Sequence, residues 1–166
     1  MDRTLILLLL LFGGALPVHA DQLGIVLNGR SIHLSAKEPL NEANWGAGLE
    51  YQYTTGDNWV PFLTVSGFRD SNENMSYYAG GGMKRRFQLG SQPNQFYVDA
   101  GAVLFLMTRE DFRSNRPFPG ILPVISLGMR NFALNITYVP DIREPMQELV
   151  FFQFVYFLDE DLLWGK

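Results

Sequence analysis

Few residues of this sequence can move a proton or an acyl group, and three of them stand at the ends of two segments that run in the same direction. His33 lies at the end of an alternating stretch at 24–34. Asp70 and Ser71 follow directly on another at 59–69, within "GFRDSNENMSYYAGGG". A histidine, a carboxylate and a hydroxyl form a minimal set for acyl transfer. One group takes the proton of the attacking hydroxyl, a second orients that base, and a third attacks the carbonyl or stabilises its oxygen. His19 lies in an N-terminal segment expected to be removed, which makes His33 the one histidine of the remaining chain. Read on residue types alone, an ordinary Asp-Ser turn and a surface strand histidine account for the same letters, because such dyads are common turn chemistry. The choice depends on where the surrounding elements place them.

Those elements are strands. Apolar and polar residues alternate, the period of a half-buried strand, over 24–34, 44–55, 59–69, 76–89, 96–109, 119–130, 132–140 and 148–157. Short breaks ("TGDN", "GSQPN", "RN") alternate with longer ones ("SAKEPLNEA", "DSNENM", "EDFRSNRPF", "DIREPMQE"). An even strand count with short turns at one end and longer loops at the other is the pattern of an outer-membrane barrel. The expected fold is therefore all-β, an eight-stranded antiparallel transmembrane β-barrel. The faces agree with lipid as the outer solvent. Trp45, Ala47, Leu49, Tyr51 and Tyr53 oppose Gly46, Gly48, Glu50 and Gln52, and Phe132, Leu134, Ile136 and Tyr138 oppose Ala133, Asn135 and Thr137. A secreted soluble barrel or sandwich is the alternative, because the signal per strand is weak.

The first twenty residues, "MDRTLILLLLLFGGALPVHA", read as a secretory signal peptide: Arg3, an apolar run from Leu5 to Phe12, and a small-residue site at Val18-His19-Ala20. Residues 21–166 are then one barrel domain. The chain has no cysteine, which excludes disulfides and thiolate metal sites, and its formal charge of −4 gives no hint of a nucleic-acid partner.

An eight-stranded barrel is narrow enough for side chains to fill, so unevenness in its lumen is informative. The inward set of 96–109 starts polar (Tyr97, Asp99) and ends apolar (Val103, Phe105, Met107) toward the long loops. An apolar pocket in the outer half of a membrane barrel suits an acyl chain. His33, Asp70 and Ser71 can converge at its mouth. Gly80 and Gly82 share one face of 76–89, which continues into Lys84 and Arg86. Glycine in a strand interior marks either close approach of a ligand or a tight bend.

The sequence resembles the outer-membrane lipid A palmitoyltransferase family (PagP-type) over about residues 30–157. Three runs carry the likeness: "GFRDSNENMSYYAGGGM", "NWGAGLEYQY" and "ILPVISLGMRNFALNITYVPD". Asn28 and Asn44 stand where the family has prolines, which marks a divergent member. The resemblance implies transfer of a palmitoyl chain from a glycerophospholipid to a hydroxylated acyl chain of lipid A, in the outer membrane, without nucleotide, metal or other cofactor. It implies His33, Asp70 and Ser71 as catalytic residues and Gly82 as the glycine that sets the depth of the acyl pocket. It also implies a lateral gap at Pro123 and Pro140, where each proline removes a ladder hydrogen bond. The barrel is expected to act as a monomer. A deacylase or phospholipase with a similar His/Ser set, and a non-enzymatic barrel, are the alternative functions.

Overall fold

The structure is a computed structural model that describes residues 20–35, 40–53, 55, 57–89, 96–141 and 147–158, the side chains of Ala20, Asp21 and Arg113 excepted. The expected signal peptide lies outside the described residues, apart from the backbone of Ala20.

Eight strands follow in chain order: β1 (Ala20–His33), β2 (Ala43–Tyr53), β3 (Trp59–Arg69), β4 (Met75–Gln88), β5 (Phe96–Thr108), β6 (Phe118–Met129), β7 (Phe132–Val139) and β8 (Leu149–Phe157). Each pairs antiparallel with its neighbours in sequence, and β8 pairs back onto β1, closing the barrel. The expected segments match these strands within two residues at every end except the start of β1, which begins at Ala20 instead of 24.

Alternation holds along most strands. On β1 it breaks, for a local reason. Counting back by twos from His33 would turn Leu27 and Ile25 inward, yet both are exposed on the outer wall, while Val26 and Asn28 are buried. The pairing shifts register between Asn28 and Arg30 against β2, and between Asn28 and Ser31 against β8. A bulge of this kind inserts one residue and swaps the faces. Here it lets an apolar outer wall below and an inward Ser31 above belong to one strand.

Outside, Leu27, Leu49, Leu63, Val65, Leu104 and Ile125 stand exposed at mid-height. Trp45 and Tyr77 lie toward the long loops, and Trp59, Phe96, Phe132 and Tyr156 toward the short turns. An apolar band between aromatic girdles matches a bilayer, which a closed barrel can cross because each strand pairs with both neighbours over most of its length.

Inside, the two halves differ. Toward the short turns, Lys84 and Glu50 are paired at 2.9 Å with side-chain exposures of 0% and 3%. Gln52 and Asn135 donate to the same carboxylate at 2.7 and 2.9 Å. Arg86 forks onto Asp99 at 2.9 and 2.8 Å. Buried charges persist when paired and fully hydrogen-bonded, and this layer plugs the barrel. Toward the long loops, rings of Phe68, Tyr78, Phe105 and Phe151 line an open space.

Candidate active site

The turn between β3 and β4 is built by Asp70. Its Oδ1 accepts the backbone N–H groups of Asn72 and Asn74 at 2.9 and 3.0 Å, and its Oδ2 accepts the Ser76 hydroxyl at 2.8 Å. Aspartate suits this place because a short carboxylate can bond backbone amides two residues on. Glu73 adopts φ 66°, the left-handed conformation that closes the turn. Ser71 is thereby fixed just beyond β3. Its carbonyl accepts the Asn41 N–H at 3.0 Å, and Asn41 Nδ2 donates to the Asp70 carbonyl at 3.0 Å. The tip is also tied to the loop after β5, because Asn72 Nδ2 donates to Asp111 at 2.8 Å and Arg109 forks onto the same carboxylate.

His33 ends β1, its backbone in register with Leu149 of β8. Its Nε2 lies 3.0 Å from Ser71 Oγ. The two strand ends expected to converge do so, and they bring histidine and serine into hydrogen-bond range. Asp70 neighbours this pair without joining it, since both carboxylate oxygens are taken up by the turn. His33 Nδ1 has no hydrogen-bond partner among the described residues. The chemistry available is that of a dyad: a base within reach of a hydroxyl, with the carboxylate acting on the serine's position.

Ser71 and Asp70 line the mouth of a cavity of about 410 Å³. It descends between Phe68, Tyr78, Phe105 and Phe151 to Phe62, Val124 and Glu50. The walls are mostly apolar, as an acyl group requires. Ser71 to Phe62 spans nine residues of β3 and its turn. At about 3.3 Å per residue and a tilt of roughly 40°, the depth is about 23 Å, enough for a long acyl chain.

The cavity also reaches the side wall. Pairing of β6 with β7 runs from Met129↔Phe132 to Val124↔Thr137 and stops there, although β6 continues to Phe118 in register with β5. Pro123 is the first residue beyond the last pair, and Pro140 follows the end of β7. Ile121 lines the cavity and is 68% exposed, so the space opens outward along this seam. Pro119, Leu122, Val139 and Pro140 border it.

Gly80 and Gly82 face inward, but neither lines the cavity. A Cβ on Gly82 would lie 2.8 Å from two ring atoms of Phe62 and 2.2 Å from the Ala102 carbonyl oxygen; one on Gly80 would lie 2.4 Å from that of Leu104. Phe62 is the cross-strand partner of Gly82, and its ring takes the room the glycine leaves. Lys84 Nζ stands 4.5 Å from the centre of the same ring. The floor of the cavity is therefore Phe62 together with Glu50 and Asn135 of the charged layer. The sequence signal for Phe62 was the register itself, a large aromatic opposite an inward glycine.

The sequence matches, over residues 27–155, the profile of the family described as antimicrobial peptide resistance and lipid A acylation protein PagP. The lipid A acyltransferase PagP of Bordetella pertussis (strain Tohama I) is 33% identical over 118 residues, covering 70% of this chain and 63% of that protein. The protein of the same name from Methylobacillus flagellatus is 31% identical over 107 residues, covering 64% of this chain and 56% of its own length. The chain thus spans less than two thirds of the length of these relatives. Among solved structures, the Yersinia pestis outer membrane protein Ail in a phospholipid nanodisc superposes with a TM-score of 0.47 at 14% identity, covering 83% of this chain and 99% of that one.

Proposed function

The chain belongs to the PagP family, and from that premise we propose that it is a lipid A acyltransferase of the outer membrane. It would take a long acyl chain, palmitoyl in type, from a glycerophospholipid and pass it to a hydroxyl of lipid A. The observation that carries this reading is the 3.0 Å contact of His33 Nε2 with Ser71 Oγ at the mouth of a deep apolar cavity.

In the first half of the reaction, the donor's chain lies in the cavity with its ester at the mouth. Ser71 Oγ attacks the ester carbonyl while His33 Nε2 takes the serine proton. The ester C–O bond breaks and the leaving glycerol oxygen takes that proton from His33, leaving the acyl group on Ser71. In the second half, a lipid A hydroxyl attacks the same carbonyl and gives its proton to His33; the bond between the acyl carbon and Ser71 Oγ breaks, and His33 returns the proton to Ser71 Oγ. Asp70 is a positioning residue: it holds the turn that carries Ser71. The seam between β6 and β7, bounded by Pro123 and Pro140, is the route by which the donor's chain leaves the bilayer for the lumen. No nucleotide or metal enters these steps, and one barrel suffices. Residues 1–20 serve as the secretory signal.

The test is acyl transfer by the refolded chain, with Ser71→Ala and His33→Ala as controls, together with mass spectrometry of the protein after rapid mixing with donor. An acyl adduct on the peptide containing Ser71 supports the covalent step. Transfer that persists in Ser71→Ala rejects it.

A further inference from the structure

Around the mouth of the cavity, buried polar atoms stand without partners among the described residues: Ser31 Oγ, Asn44 Oδ1 and Gln147 Oε1, beside His33 Nδ1. Ser31, Asn44 and Gln147 all line the cavity, and Ser31 and Asn44 are each only 1% exposed. Burying a polar atom without a partner costs folding free energy, and nothing in the packing of the barrel repays it at these places. An alanine would fill the Ser31 site, and the bulge in β1 turns Ser31 inward.

The free atoms share a chemical character. Asn44 Nδ2 donates to the Arg69 carbonyl at 3.0 Å. A carbonyl only accepts, so the amide nitrogen must face Arg69, and the free atom is the oxygen, an acceptor. Gln147 Oε1 is a second carbonyl oxygen without a partner among the described residues. Ser31 offers a hydroxyl that accepts or donates. The set therefore pairs with a ligand carrying O–H and N–H groups. The ester and phosphate oxygens of a glycerophospholipid only accept, and match it poorly.

Position narrows the occupant. Ser31 is two residues before His33 on β1. Asn44 is on β2, whose start is joined to β1 by the bond from Ser31 N–H to the Glu42 carbonyl at 3.0 Å. Gln147 precedes β8, whose Leu149 pairs with His33. All three flank the dyad on one arc of the rim, β8–β1–β2, away from the walls of Val103, Phe105 and Met107.

We infer that Ser31 and Asn44, with Gln147, form the subsite for the acyl acceptor, binding the hydroxyl and amide N–H of a hydroxyacyl amide lipid and holding that hydroxyl beside the His33–Ser71 dyad. This rests on the acyltransferase reading above. The acceptor hydroxyl gives its hydrogen bond to Asn44 Oδ1 before it attacks, and Ser31 holds its oxygen. A chain lacking the hydroxyl leaves these atoms unpaired and is rejected.

The experiment compares two probes, N-(3-hydroxymyristoyl)glucosamine and N-myristoylglucosamine, which differ by one hydroxyl. Calorimetry gives their affinities for the full chain refolded in detergent micelles. The wild type should bind the hydroxylated probe about tenfold or more tightly, as sites built to bond a hydroxyl do. Ser31→Ala and Asn44→Leu should lose that preference and Ser31→Thr should keep it. Ser31→Ala should unfold at no lower temperature than the wild type, because the hydroxyl it loses bonds no other described residue. A wild type that binds both probes alike, or a Ser31→Ala variant that discriminates as well as the wild type, overturns the subsite. Acyl transfer from phosphatidylcholine to lipid A is assayed alongside. A wild type that transfers but does not discriminate loses the subsite alone, whereas one that transfers nothing loses the functional reading and the subsite with it.

Discussion

The ring of Phe62 lies across Gly82, so close that a methyl group on the glycine would meet two of its ring atoms at 2.8 Å. On the proposed function, this pair, resting on the Lys84–Glu50 layer, would set how far an acyl chain can descend. Phe62→Leu should deepen the cavity and shift donor preference toward longer chains. Gly82→Ala should do the reverse and destabilise the barrel by ~1–3 kcal/mol, the usual cost of overpacking, because the Ala102 carbonyl on the neighbouring strand must also give way. Donor phospholipids of graded chain length, supplied to each purified variant, test this. Unchanged preference in Phe62→Leu would mean that the floor lies elsewhere.

His33→Ala and Ser71→Ala should each lower acyl transfer by roughly a thousandfold or more, as loss of a base or nucleophile does. Both should still migrate as folded, heat-modifiable barrels. The double variant should be little worse than either single one, because the two residues act as a unit.

Asp70→Asn should act through the turn. An amide cannot accept from Asn72, Asn74 and Ser76 at once, so about 1–2 kcal/mol of stability should be lost with the bonds it breaks. Transfer should fall because Ser71 is displaced. Hydrogen exchange at the Asn72 and Asn74 amides should quicken in this variant, which a purely electrostatic role for Asp70 would not produce.

The eight strands were legible because their period, their turn residues and their alternately short and long breaks all agreed. Pro123 and Pro140 marked a break in the ladder because proline removes a ladder hydrogen bond, and the pairing of β6 with β7 ends at Val124↔Thr137, just short of both. The inward turn of Ser31 against an outward Leu27 was not readable from strict alternation, because a bulge leaves no residue type that must mark it. Nor could the order of the letters tell that Asp70 bonds its own turn and leaves His33 Nδ1 without a partner among the described residues. Adjacent residues on a turn point in different directions, and only the folded backbone fixes them.

The seam can be closed reversibly. Continuing the register beyond Val124↔Thr137 places Leu122 opposite Val139, and the chain has no cysteine of its own. Leu122→Cys combined with Val139→Cys should lose most bilayer turnover when oxidised and regain it on reduction, while thermal stability rises in the oxidised form. Full turnover with the disulfide formed would remove the seam as the lipid route.

Mass spectrometry of lipid A tests the central claim most directly. Lipid A is incubated with a palmitoyl-bearing glycerophospholipid and the refolded chain, with Ser71→Ala in parallel. The His33–Ser71 account predicts that lipid A gains the mass of one palmitoyl group with the wild-type chain and not with the variant. Lipid A of unchanged mass, or lipid A that has lost an acyl chain, would contradict it.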